Sequence, residues 1–224
     1  MEPSGFPRPD EPRGHNPRPP KPPVPPAKRI IPPHPLQALI VVAGFVALLW
    51  AIEGIDTVLG GRLDLHGIWP REIDEWDGII WAPLLHSGWD HLIANSVPFL
   101  VLGILTTAGG MGQFIGVTAI IWLFSGVGTF LIGAPGIHIG ASGVVFGFLT
   151  FVLVRGLFVR SLPQILIAVV VFAIYGSVLW GVLPNQPGIS WEGHLCGAVG
   201  GVVAAWLVGR SLKQASRPQP GFPG

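Results

Sequence analysis

The chain has 224 residues, of which 50% are hydrophobic and only 11% charged, and its mean hydropathy is +0.59. A soluble domain of this length carries roughly a quarter charged residues to coat its surface, so the composition excludes one and points to a membrane protein. The net charge of +1 argues against a nucleic-acid partner: Arg62 and Arg71 lie in one loop, and the other cations sit in the tails or around a single turn, leaving no basic face for phosphates.

Residues 1–35 are polar, and proline supplies 14 of them, with no apolar stretch ahead of a cleavage site. They predict an extended, disordered tail with local polyproline II character and no signal peptide. Its use stays open between a spacer and a docking segment for a partner that reads Pro-Pro. His15 and His34 belong to it and read as solvated.

Six apolar segments follow, at Leu36 to Ile52, His91 to Thr107, Phe114 to Ile132, Ser142 to Phe158, Pro163 to Val182 and Trp191 to Val208. Each is close to the roughly 20 residues that cross a 30 Å hydrocarbon core. The sequence thus predicts an all-α polytopic membrane protein, with one six-helix domain over residues 36–209 and a cytoplasmic tail over 210–224. The loop from Glu53 to Asp90 carries Trp69, Trp76, Trp81 and Trp89 among acidic residues, a mixture suited to the membrane surface; His66 in it reads as solvated. The lone Cys196 excludes an internal disulfide and reads as a small packing residue.

Cations set the orientation. Lys28 and Arg29 precede the first segment, Arg155 and Arg160 flank the turn after the fourth, and Arg210, Lys213 and Arg217 follow the sixth. Six spans put all of these on one side, so the positive-inside rule predicts a multi-pass cell-membrane protein with both termini cytoplasmic. The second, fourth and sixth segments then enter from the outer face, at His91, Ser142 and His194.

Ser142 lies in Gly140-Ala141-Ser142-Gly143, and His194 follows Gly193 at the start of the last segment. A serine hydroxyl is a poor nucleophile until a base takes its proton, and histidine is the usual base. Small residues four apart, Gly143 and Gly147 on one helix and Gly193, Gly197 and Gly201 on the other, let two backbones approach closely. Taken alone, this pattern also describes a packing seam with incidental polar groups. His91 and Asn95 are spaced i, i+4, so they share one helix face. With the Ser142 backbone N–H at a helix start, they form a candidate set of donors for the oxyanion of acyl transfer.

Three stretches then carry a resemblance: His86-Ser87-Gly88-Trp89-Asp90-His91-Leu92-Ile93-Ala94-Asn95, Gly140-Ala141-Ser142-Gly143, and Gly193-His194-Leu195-Cys196-Gly197 with Gly201. In this order, on the second, fourth and sixth helices, they resemble the rhomboid intramembrane serine proteases over about residues 36–209. The resemblance implies a six-transmembrane-helix rhomboid-like bundle, a Ser142–His194 dyad without a carboxylate, and an oxyanion site of His91, Asn95 and the Ser142 backbone. Gly140, Gly143, Phe146 and Gly197 support the site; no cofactor and no metal is implied. The implied partners are the lipid bilayer and the transmembrane helices of substrate proteins.

Two departures stand out. Many relatives have Trp-Arg in the first loop, where this chain has Trp81-Ala82, so that loop's anchoring is expected to differ. Phe146 stands where many carry Tyr, and its ring can still stack on an imidazole. Ser87, Asn185, Gln186, Ser190 and Glu192 are candidates to line the access route. His138 is expected to be solvated or to hold the loop before Ser142, and His86 to play a hydrogen-bonded structural part. Three other readings compete: a catalytically silent protein of the same fold that binds and escorts helices, a haem carrier using His91 and His194, and a transporter, for which no intramembrane carboxylate is evident.

Overall fold

The computed structural model describes residues 24–184 and 188–215. Helices make up 78% of it, with no strands among the described residues. Seven α-helices follow one another among these residues: α1 Pro35–Leu59, α2 Gly78–Trp81, α3 Trp89–Thr106, α4 Met111–Ile132, α5 Ser142–Phe158, α6 Leu162–Tyr175 and α7 Trp191–Ala215. Five stretches, Pro35–Leu59, Trp89–Gly109, Met111–Ile132, Leu162–Val182 and Trp191–Ala215, are long and apolar enough to cross a membrane.

The helix opening at Ser142 is the short one. Its 17 residues span about 25 Å at 1.5 Å each, less than a hydrocarbon core, so it falls short of the five membrane-length stretches. Eleven of those 17 residues are buried, which makes α5 the hub. By contrast α6 buries only Gln164, Ala168 and Val171. Leu166, Val169, Val170, Phe172 and Ile174 of α6 face outward, as a lipid-facing surface requires.

Between helices in lipid there is little hydrophobic driving force, so close packing and polar contacts hold the bundle. The α5/α7 seam is built on glycine. A Cβ on Gly197 would overlap the carbonyl of Gly143, and one on Gly201 the carbonyl of Gly147. The Thr150 hydroxyl donates across the same seam to Ala198 O at 2.7 Å. Phe99, Phe114 and Phe148 fill the space between α3, α4 and α5.

Several segment boundaries differ from those the sequence predicts; α7 runs past Val208 to Ala215, so Arg210 and Lys213, read as part of the tail, lie within the helix. The first helix continues past Ile52 to Leu59, because Glu53 and Asp56 are buried, each 4% exposed, and do not end it at a water boundary. It stops where Gly60 adopts a left-handed φ of 70° and Asp56 Oδ1 accepts the Leu63 N–H at 2.7 Å. The fifth segment changes from α to 3₁₀ geometry over Gly176–Val182. The Pro-rich segment, read as unstructured through residue 35, is held against the bundle in its last part. There Arg155 Nη2 donates to Arg29 O at 2.7 Å, and Gln164 Nε2 to Ala27 O at 2.9 Å. Residues 1–23 lie outside the described residues.

The first loop is a chain of short turns, at Leu63–His66, Ile73–Glu75, α2 and Ala82–Leu84. It is fastened to the bundle at several points. Trp122 Nε1 donates to Ile79 O at 3.1 Å, and Ile68 and His138 exchange backbone hydrogen bonds. Its anchoring cation is Arg71, whose Nη1 donates to Gly133 O at 2.8 Å. At Trp81-Ala82 the tie is made by backbone, with the Gly140 N–H donating to Ala82 O at 2.8 Å.

Candidate active site

Ser142 opens α5, and His194 lies in the first turn of α7. The glycine seam lets those two helix starts meet: His194 Nε2 is 2.8 Å from Ser142 Oγ. The other ring nitrogen, Nδ1, is 2.9 Å from the carbonyl oxygen of Gly181. A carbonyl oxygen can only accept, so Nδ1 carries the proton and Nε2 is left to accept from the serine hydroxyl. That is the tautomer a general base requires.

Phe146 fixes the plane of the ring. It stacks on His194 at 4.1 Å between centroids and 11° between planes, one helical turn below Ser142. Stacking of this kind needs no hydroxyl, so Phe146 serves as the platform.

His91 and Asn95 line the same open cavity, of about 1240 Å³, as Ser142 and His194. The Asn95 amide donates one hydrogen to His91 O at 3.0 Å, which leaves its second for the cavity. His91 Nδ1 pairs with Ser87 Oγ at 3.2 Å. Its ring crowds Gly140: a Cβ there would lie 2.6 Å from His91 Cε1, and Gly140 has φ of 120°. Gly140 is therefore required twice over. Gly143 is held as closely, with Ser125 Oγ where a Cβ would be, and Ser125 donates to Gly193 O at 3.0 Å.

The loop before Ser142 is pinned by polar groups. His138 Nε2 donates to Ala134 O at 2.8 Å, so its Nδ1 accepts from the Ser190 hydroxyl at 2.6 Å. Glu192, buried at the start of α7, accepts the Ala134 N–H at 2.9 Å. His138 thus holds the loop. His86 is fully buried, and its Nε2 accepts the Ala141 N–H at 3.4 Å. Burial first, and the neighbouring His91 second, pull it down to about 4 against the opposing Leu84 backbone.

Of the residues expected to line the access route, Ser87, Ser190 and Glu192 face the large cavity, while Asn185 and Gln186 lie outside the described residues. Behind Ser142 a second space of about 20 Å³, bordered by Ser125, Thr129, Ser190 and His194, has room for one water molecule. Three features of the site carry no sequence signal of their own. The Gly181 carbonyl is backbone, Arg71 is an ordinary loop cation, and Asp64, on the cavity wall, reads as one of many loop acids. Burial first, then the carboxylates of Asp56 and Glu53, raise Asp64 to about 6. No group of metal-ligating side chains converges among the described residues.

Comparison with known proteins agrees with this architecture. The profile of the Rhomboid domain matches residues 74–211, more than half of the chain. An uncharacterized protein of Mycobacterium tuberculosis is 50% identical over 186 residues, covering 76% of this chain and 78% of its own length. One of Mycobacterium leprae is 46% identical over 196 residues, covering 81% and 78%. The Bacillus subtilis protein named "Putative rhomboid protease YdcA" is 30% identical over 159 residues, covering 68% and 74%. With a glycine-seamed bundle of membrane-length helices and this match over most of its length, the chain belongs to the rhomboid family.

Proposed function

We propose that the chain is a serine endopeptidase that hydrolyses peptide bonds in or beside the transmembrane helices of other membrane proteins. The observation that carries this reading is the line Ser142 Oγ, His194 Nε2, His194 Nδ1, Gly181 O, with contacts of 2.8 and 2.9 Å at its two ends. Ser142 Oγ attacks the scissile carbonyl carbon while Nε2 takes its proton. The imidazolium that forms keeps its Nδ1–H on Gly181, so a backbone dipole does the orienting that a carboxylate does in a triad.

The carbonyl oxygen becomes an oxyanion, for which the Ser142 backbone N–H, the free Asn95 N–H and His91 are the donors at hand. Collapse returns the His194 proton to the leaving amine. Water, for which the space behind Ser142 has room, then hydrolyses the acyl-enzyme with His194 again as base. A substrate helix must unwind locally to expose its carbonyl, which favours small, helix-weakening residues near the site.

The membrane domain runs over residues 36–209 and the tails flank it. Arg155 and Arg29 meet at one end of the bundle, which supports the placement of Lys28, Arg29, Arg155, Arg160, Arg210 and Lys213 on the cytoplasmic side and of Ser142 toward the outer face.

Ser142→Ala tests the reading. It should abolish labelling by a serine-directed fluorophosphonate and lower cleavage of a reporter helix in liposomes by at least about a thousandfold. Labelling that survives the substitution would remove Ser142 as the nucleophile, and cleavage-free binding of the reporter by the unaltered protein would favour an escort.

A further inference from the structure

Asp64, on the wall of the Ser142 cavity, is a carboxylate that no side chain among the described residues pairs with. Asp64 lines that cavity, and its Oδ1 has no hydrogen-bond partner among them. Asp56 accepts the N–H of Leu63, the residue before Asp64, and Glu53 lies one turn earlier on α1, so two further carboxylates stand behind Asp64. Glu53 is only 4% exposed, and its Oε2 likewise lacks a partner among the described residues. Asp56, by contrast, is satisfied by the Leu63 N–H.

Neither arginine of the first loop pairs with these carboxylates among the described residues. Arg71 is spent on the Gly133 and Leu131 carbonyls, and Arg62 is exposed and, among the described residues, bonds to none of the three carboxylates. A buried carboxylate without a partner is costly, so the group awaits a positive charge from outside. The three do not converge as ligands for a single metal ion. Asp64 alone of the three lines the cavity, and one carboxylate reached through it suits a cation on a long flexible stem instead.

We infer that Asp64, backed by Glu53 and Asp56, is a specificity-determining subsite that accepts a lysine or arginine side chain of the substrate close to its scissile bond. This rests on the reading of Ser142 as the nucleophile. Selection comes as much from rejection as from attraction. A substrate acid placed there meets like charge, and a neutral side chain leaves Asp64 unpaired.

Reporter helices carrying Lys, Gln or Glu in turn at each of the four residues on either side of the cleavage point, compared in proteoliposomes, test it. At the best position Lys should exceed Gln in kcat/KM by about tenfold, equivalent to roughly 1.4 kcal/mol, and Glu should be the poorest. Acetylating that lysine should remove the advantage in the unaltered protein. Asp64→Asn should bring the Lys-to-Gln ratio near one, Asp64→Glu should keep most of it, and Glu53→Gln should lower it in part. Lys no better than Gln at every position, an advantage that survives acetylation, or a ratio unchanged in Asp64→Asn would each overturn the subsite. The same ratio, read as photocrosslinking of the reporters to Ser142→Ala, does not need catalysis. Fluorophosphonate labelling of the unaltered protein reports separately on the nucleophile, so failure of one idea is distinguishable from failure of the other.

Discussion

Gly181 accepts the Nδ1–H of His194 at 2.9 Å, and this contact decides which imidazole nitrogen faces Ser142. The carbonyl comes from the 3₁₀ stretch Gly176–Val182, at the point where the α6 segment stops being α-helical. There is almost no room to spare around it. A Cβ on Gly181 would stand 2.8 Å from Phe146 Cζ and 3.2 Å from His194 Nδ1.

Gly181→Ala should therefore push on both rings and lower kcat by roughly tenfold with the fold retained. Phe146→Ala removes the stacking platform, worth about 0.5–1.5 kcal/mol, and should cost about three- to tenfold, while Phe146→Tyr should keep the activity. Single-turnover cleavage of a reporter helix measures each effect, and a Phe146→Ala variant as fast as the original would show that the imidazole needs no platform.

Gly197→Ala and Gly201→Ala should act on stability, because each Cβ would collide with a backbone carbonyl of α5, which has no rotamer to yield. Overpacking of this kind costs about 1–3 kcal/mol or more. Gly44→Ala in α1 is the control: nothing lies within 4 Å of its Cβ, and alanine favours the helix. Unfolding midpoints in detergent should fall for the first two and hold or rise for the third.

Gly140→Ala separates the site from the seam. Its φ of 120° and the His91 ring both oppose a side chain, so the loop must shift beside Ser142. Cleavage should drop at least about tenfold, with a smaller loss of stability than at Gly197. A drop in stability equal to that of Gly197→Ala, with activity per folded molecule unchanged, would contradict this.

His86 gives the protein a pH dependence of defined sign. Its folded value is depressed from 6.5 to about 4, so the unfolded chain binds the extra proton between those values. The stability it contributes is complete above pH 6.5 and is lost as pH falls through 6.5 toward 4, by roughly 2 kcal/mol at about pH 5. Asp64, raised from 3.8 to about 6, has the opposite slope over its own window and is common to the proteins compared. Unfolding in detergent at about pH 7 and about pH 5 should show a larger acid loss for the original protein than for His86→Gln. Equal losses would mean that His86 is not held neutral.

The spans, the glycine spacing and the Ser142, His194, His91 and Asn95 pattern were legible in the chain itself, because membrane length and helical period are properties of consecutive residues. Charge misled at two places: Glu53 and Asp56 look like the end of a helix, yet the first loop folds over them and α1 continues to Leu59, and Arg210 and Lys213 look like a tail, yet α7 continues through them to Ala215. Trp81-Ala82 suggested a loop without its arginine anchor, and Arg71 supplies one from earlier in the same loop.

Which residues can react follows from their type and periodicity, and so the sequence alone determined a serine, a histidine and a small-residue seam on membrane-length helices. Tertiary structure alone decided the imidazole tautomer, the pinning of the loop by Arg71 and Glu192, and the placing of Asp64 on the cavity wall in front of the carboxylates of α1. The physical reason is that each depends on a backbone carbonyl, a backbone N–H or an unpaired charge contributed from a distant segment, and such groups have no local pattern.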